Sequence, residues 1–250
     1  MPDRRLPKKD FIWTPNLAYA VGLLVTDGCL SPNNRTIVLV SKDREILENF
    51  KSCLNIENKI GDHISGMGNH YLKVQYDNVQ FYDWLLRIGL SQAKSRTVGE
   101  ILVPDEFFRD YFRGCIDGDG SIQTYSDKYN VYKGRRYTTQ RLFIKIVSAS
   151  EQHIEWLQNK IEILAGVRGF ITYTKPRLEN YAPTWGLKFA KNKSLQLIEW
   201  MYYAHDIPCL RRKRNIAEEA VGVIIQQTRR RYTRVPNRRP ANLSVPPNLG

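Results

Sequence analysis

The chain has 250 residues, enough for one large domain or two small ones with a real core. Its 38 Lys and Arg against 25 Asp and Glu leave a formal net charge of +13, which points to a polyanionic partner. No apolar stretch nears the roughly 20 residues that cross a bilayer, and the charged start MPDRRLPKKD lacks a signal-peptide core. The expected protein is therefore intracellular, in cytoplasm, nucleoid or an organelle, with no membrane partner and no secretion. After a loose basic leader, Thr14 reads as a helix cap and Pro15 as a first helical residue, with a helix running to about Asp27. Its segment LAYAVGLLV is apolar on nearly all sides, so the helix is buried. Strands are predicted over 28–30 and 35–41, around the turn Ser31-Pro32-Asn33-Asn34. Ile46, Leu47, Phe50 and Leu54 fall at helical spacing. A hairpin over 60–76 and a helix over 78–89 complete a first half, 11–95. Residues 90–104 connect the halves. The second half, 96–227, repeats the order: a helix from Pro104 and Asp105 to Asp119, then strands 121–125 and 141–148. A helix over 151–164, strands 170–174 and 184–189, and helices over 194–203 and 210–226 follow. Residues 228–250, rich in Arg and Pro, read as a disordered basic tail.

Local similarities support an internal duplication. VSKDREILENF at 40–50 parallels VSASEQHIEWL at 147–157. YLKVQYDNVQFYDWL at 71–85 parallels GLKFAKNKSLQLIEWM at 186–201, with one extra residue, and this pairing matches Lys73 with Lys188. A helix, two hairpins and covering helices, given twice, imply an α+β pseudo-dimer of two antiparallel sheets backed by helices. The four cysteines and four histidines are scattered, so neither a zinc site nor a disulfide framework is expected.

The ends of the two long helices carry the chemistry. Residues 112–121 read FRGCIDGDGS, and 20–31 read AVGLLVTDGCLS. Gly22 matches Gly114, Asp27 matches Asp119, and Gly28 matches Gly120. Asp117 has Val25 as its counterpart. Residues two apart on a helix point about 200° from each other, so Asp117 and Asp119 cannot face one neighbour, and the shared acid is the last one. These paired stretches resemble the motifs of the LAGLIDADG homing endonucleases, in the single-chain form with two motifs. Ala20–Gly28 and Phe112–Gly120 fill the nine motif positions. The first copy departs from the pattern at Val25 and Thr26.

The resemblance implies motif helices packed at a pseudo-twofold axis, with Gly22 and Gly114 letting their backbones approach. It implies that Asp27 and Asp119 hold Mg²⁺, with the carbonyls of Thr26 and Gly118 completing the shells. Ca²⁺ is expected to bind there without supporting cleavage. It also implies a polar or basic residue at the edge of each site; that position is Lys42 in the first half, while in the second it is Ala149, a departure from the pattern. Lys73 and Lys188 are the further candidates for stabilising phosphate charge or orienting water. The implied activity is a monomeric, Mg-dependent endonuclease cutting both strands of a long asymmetric DNA target. An intron-RNA maturase and a non-cleaving DNA-binding regulator are the alternatives.

Strand alternation says which sheet faces are wet. Tyr71, Lys73 and Gln75 share such a face, as do Arg141 and Lys145, and Thr184 and Lys188. With Arg35, Tyr125, Arg135 and Arg136, these side chains suit base edges and phosphates in a major groove. The stretch 123–141, longer than its first-half counterpart and rich in Tyr, Lys and Arg, is expected to be a DNA-contacting hairpin extension.

Overall fold

The computed structural model describes residues 10–66, 68–132, 134–176 and 182–233. α1 (Pro15–Asp27) begins where predicted: the Thr14 hydroxyl accepts from the Leu17 amide at 3.1 Å, and Pro15 holds the first helical position. β1 (Gly28–Leu30), β2 (Thr36–Ser41), α2 (Arg44–Leu54), β3 (Ile60–Ile64), β4 (His70–Asp77) and α3 (Val79–Arg87) follow. A link with a short 3₁₀ turn at Lys94–Arg96 leads to a second such turn at Asp105–Phe107, and α4 (Phe108–Gly118) continues from it. β5 (Ser121–Tyr132), β6 (Arg135–Ser148), α5 (Glu151–Ala165), β7 (Phe170–Thr174), β8 (Thr184–Ala190), α6 (Lys191–Met201) and α7 (Arg211–Thr233) complete the order.

The strands form two four-stranded antiparallel sheets, ordered β1-β2-β4-β3 and β5-β6-β8-β7. The order is the same in both, as an internal duplication requires. Helices cover one face of each sheet. Among the described residues no helix is long and apolar enough to cross a membrane.

β5 and β6 run on past the predicted strands 121–125 and 141–148 to Tyr132 and Arg135, as the hairpin extension expected over 123–141. Two other expectations shift. α6 starts at Lys191 and ends at Met201, earlier than the predicted 194–203. α7 runs to Thr233, so part of the stretch predicted to be disordered from 228 is helical; 234–250 lie outside the described residues. Ala217, Ala220 and Ile224 are buried along α7, so its first turns are held by packing and the helix continues from that anchor.

The two motif helices cross at their glycines. A Cβ on Gly22 would lie 2.2 Å from the Tyr111 carbonyl oxygen, and one on Gly114 would lie 2.3 Å from that of Tyr19. Any side chain there would push the backbones apart. Around this crossing the core is continuous, from Tyr19, Leu23 and Leu24 of α1 to Phe108, Phe112 and Ile116 of α4.

The registers align the halves residue by residue. Gly28 pairs with Leu39; Ser121 pairs with Lys145, so Gly120 falls opposite Ile146. Leu39 thus corresponds to Ile146, in accord with VSKD and VSAS. Leu39 pairs with Val74, and Ile146 pairs with Leu187. Val74 therefore corresponds to Leu187, Gln75 to Lys188 and Lys73 to Gly186. The covering helices agree: Phe81, Trp84, Leu85 and Ile88 are buried in the first half, and Ser194, Leu197, Ile198 and Met201 in the second at the same spacing. The sequence pairing of Lys73 with Lys188 is out of register by two residues. Two is one full strand period, so the wrong alignment kept every residue on its correct face and looked plausible.

Candidate active site

Asp27 ends α1 and Asp119 caps α4, so the helix crossing brings the two acids to the pseudo-twofold axis. The Asp27 carboxylate lies 3.1 Å from where a Cβ on Gly118 would stand, and Thr26 Oγ1 only 2.0 Å from it. Glycine at 118 is what lets the first motif's end lie against the second. Burial pushes the Asp27 pKa up to about 7; the charge of Asp119 adds to the rise, while Lys213 and Lys94 oppose it. Asp119 is exposed, yet desolvation by the surrounding walls raises its pKa too, against the pull of Lys94 and Lys213. Like charges held together in a shielded place favour a proton or a cation between them.

The two lysines that temper these acids are functional candidates the sequence reading missed. Lys94, buried in the link, donates to the Gly28 carbonyl at the end of α1. Lys213, buried at the start of α7, donates to the carbonyls of Ile116 (2.7 Å), Asp117 (2.8 Å) and Gly120 (2.7 Å), with Gly118 at 3.3 Å. Each cation sits on the carbonyl end of a motif helix, where the helix dipole is negative. Burial lowers the pKa of both. Their only sequence signal is a lysine shortly after a buried leucine, Leu90 and Leu210, beyond the last covering helix of each half. That is too weak to separate from an ordinary link.

Asp117 has a different duty. Its Oδ2 accepts from Tyr19 OH of α1 at 2.9 Å and from the Leu210 amide before α7 at 2.7 Å. It is fully enclosed, and burial lifts its pKa to about 6. It therefore ties α4 to α1 and to the segment that delivers Lys213. Beside Asp119 a cleft of about 250 Å³ is lined by Thr26, Ser95, Val147, Ser148, Ala149, His153 and Thr184 among others. His153 is structural there: its Nδ1 lies 2.7 Å from the Gly99 carbonyl, and burial lowers its pKa to about 4.

The other predicted residues lie further out. Lys42 is exposed, with its ammonium 5.2 Å from the Tyr71 ring. Lys73, Gln75 and Tyr71 share the open face of the first sheet. Lys188 lies 3.8 Å above the Phe143 ring on the open face of the second, opposite Lys145. Tyr125 stacks on Phe143 at 6.0 Å. Arg141 is ion-paired to Asp127 at 2.9 Å, and Arg35 is 3.9 Å from Asp77. Arg136 is exposed on the long hairpin, and the Arg135 side chain lies outside the described residues. Thr184 reaches the cleft of Asp119.

Among the described residues no three His, Cys, Asp or Glu side chains converge. The donors at the axis are two carboxylates and backbone carbonyls, all oxygen, with the Asp27 pKa raised first by burial and then by the charge of Asp119. Such a set fits a hard cation that keeps most of its waters, such as Mg²⁺. One carbonyl of the set, Gly118, is also within reach of Lys213.

No family model matches the chain. Among curated proteins it is 27% identical over 197 residues to a glutamine–fructose-6-phosphate aminotransferase (isomerizing) of Methanocaldococcus jannaschii. That match covers 74% of this chain and spans only 16% of the length of that protein. Among solved structures, the meganuclease I-SmaMI bound to uncleaveable DNA is 13% identical, with 86% of this chain and 92% of that one covered and a TM-score of 0.56. The I-LtrWI LAGLIDADG homing endonuclease bound to target DNA is 14% identical, with 86% and 91% covered and a TM-score of 0.55. Full-length DUF199/WhiA from Thermatoga maritima is 12% identical, with 92% and 71% covered and a TM-score of 0.50. The fold is thus the two-half LAGLIDADG fold. At these identities the likeness speaks for the fold alone.

Proposed function

We propose that the chain is a site-specific DNA endonuclease that hydrolyses one phosphodiester in each strand of a long, asymmetric duplex target. The observation that carries this reading is the meeting of Asp27 and Asp119 on the axis between the open faces of two basic sheets. A divalent cation such as Mg²⁺, held by Asp27 and Asp119 with help from the Thr26 and Gly118 carbonyls, would supply an activated water and a counter-charge for the leaving oxygen. The chain's own residues do the rest. The two sheets bind the duplex through Lys, Arg, Tyr, Gln and Thr on their open faces. Lys94 and Lys213 hold the motif ends in place and put positive charge beside the acids. The non-identical sheets read the two half-sites separately, so the target need not be palindromic.

The test is a selection for cut sequences from a randomised duplex library, run with Mg²⁺, with Ca²⁺ and with chelator. One extended asymmetric sequence, cut with Mg²⁺ and bound but uncut with Ca²⁺, is the expected result. Binding with no cutting under any condition would make the chain a DNA-binding regulator. Preferential binding of folded intron RNA over any duplex would make it a maturase.

A further inference from the structure

The register leaves Lys73 without a lysine counterpart, since position 186 is glycine. The neighbourhood of Gly186 shows what replaced it. A Cβ built there would lie 2.7 Å from Cε of Lys145 and 3.4 Å from its Nζ. The Lys145 side chain therefore lies across residue 186, and Gly186 is buried beneath it. Lys145 itself corresponds to Val38 of β2. On the third strand Thr172 pairs with Gly186, while Gly61 pairs with Lys73. Thr172 Oγ1 lies 3.0 Å from the same Cβ position, whereas a Cβ on Gly61 would meet nothing within 4 Å. Three positions have changed together: Val38, Gly61 and Lys73 in the first half stand as Lys145, Thr172 and Gly186 in the second. Each set holds one lysine, one glycine and one residue of Val or Thr size. The lysine has moved from β4's position to β2's.

The direction of Lys145 matters as well. Residue 186 pairs with Val147, which lines the cleft of Asp119 together with Thr184. By leaning over Gly186, Lys145 reaches the strand level of Val147, one of the residues that line that cleft. Lys73 pairs with Val40, the counterpart of Val147, and so starts from the acid-proximal position directly. We propose that Lys145 is the second half's equivalent of Lys73, each placing one ammonium on a DNA phosphate beside its own half's acid. Lys188 is thereby a sheet-face residue seated on Phe143, equivalent to Gln75. This rests on the nuclease reading for the identity of the phosphate, not for the equivalence of the two lysines.

The experiment transplants one half's solution into the other. The variants are Lys145→Val, the triple Lys145→Val with Thr172→Gly and Gly186→Lys, and the reciprocal triple Val38→Lys with Gly61→Thr and Lys73→Gly. Two quantities are read on the selected duplex: the salt dependence of binding in Ca²⁺, and cutting of each labelled strand in Mg²⁺. Lys145→Val should lower the slope of log affinity against log salt by about one and slow cutting of one strand by about tenfold or more. The triple should restore both, and the reciprocal triple should keep wild-type values. An unchanged slope and rate in Lys145→Val would overturn the proposal. So would a folded triple variant no better than the single one, with the reciprocal triple deciding if the first does not fold. A wild-type chain that cuts nothing but shows the predicted pattern of slopes would sink the nuclease reading and leave the equivalence of Lys73 and Lys145 standing.

Discussion

The two halves share a strand order and a helix crossing but differ in how each motif helix is finished. In the first, Val25 packs against the core, and Lys94 donates to the Gly28 carbonyl. In the second, Asp117 binds Tyr19 and the Leu210 amide, and Lys213 spans four carbonyls. Backbone geometry and the position of the last acid are common to both. Side-chain solutions are not, and the Lys73/Lys145 exchange is a further instance. A duplicated fold at a pseudo-twofold axis constrains what must meet there: two backbones at Gly22 and Gly114, and two carboxylates at 27 and 119. It leaves free whatever can be supplied from more than one strand or helix.

The hardest test of that symmetry is at the acids. On the nuclease reading, Asp27→Asn and Asp119→Asn should each reduce cutting by about a thousandfold or more, since losing a cation contact there would forfeit several kcal/mol of charge stabilisation. Duplex affinity in Ca²⁺, titrated on the same variants, should fall far less than cutting. Nicking of one strand by each variant would show that the acids serve separate strands; equal loss on both would show a shared centre. Asp27, together with the enclosed Asp117, also sets a pH profile of stability in the absence of metal. Asp27 titrates near 7 and Asp117 near 6 in the folded protein, both above the ordinary 3.8. The folded state therefore holds protons that the unfolded chain has lost. Stability from these groups is greatest below about pH 4 and declines as pH rises through 6 and 7. Melting of Asp27→Asn across that range should flatten the upper part of the decline and give a more stable protein at pH 8.

The next effect lies at the crossing. Gly114→Leu should cost about 3 kcal/mol or prevent folding, because its Cβ would start 2.3 Å from the Tyr19 carbonyl oxygen. Gly22→Leu should do the same from the other side, and denaturant midpoints compare them. These glycines were legible in the sequence because Gly22 and Gly114 recur at one motif position, and the family resemblance implied that the helices pack there. The acids were legible because Asp27 and Asp119 recur although the first copy departs from the pattern at Val25 and Thr26. Lys94 and Lys213 were not, since their role depends on where a link and a late helix return in space. The Lys73–Lys188 match failed because LKV and LKF satisfy strand alternation equally well two residues apart, and only the hydrogen-bond register distinguishes them. The resemblance of DWL to EWM in the covering helices reinforced the error, although burial pairs Trp84 with Leu197.

The caps should separate the halves more gently. Lys213→Ala leaves several buried carbonyls without a donor and should cost about 2–3 kcal/mol. Lys94→Ala uncovers the Gly28 carbonyl and should cost about 1 kcal/mol. Equal losses, measured by denaturant unfolding, would mean that the extra hydrogen bonds of Lys213 contribute nothing net. Restoration of cutting by Arg at either position would speak for charge beside the acids, and failure of Arg to restore it would speak for the capping geometry.

The smallest expected difference lies on the arms. Arg35 lies just before β2 and Arg141 within β6 at the base of the long hairpin, each with an acid nearby. Asp77 is 3.9 Å from Arg35, at the limit of an ion pair, and both side chains are well exposed, so solvent screens the attraction. Asp127 is 2.9 Å from Arg141, and Nε and Nη2 both donate to it, so that guanidinium is already neutralised in the free protein. A phosphate approaching Arg141 must compete with a fixed carboxylate, while one approaching Arg35 meets a weaker rival. Arg35→Ala should therefore lower the salt slope of DNA binding by about one, and Arg141→Ala by clearly less. Asp127→Asn should then remove that competing carboxylate, raising affinity at low salt and steepening the slope. If Arg141→Ala instead proves the costlier loss, Asp127 is positioning Arg141 for a base edge, and the long hairpin is the half that reads sequence at that place.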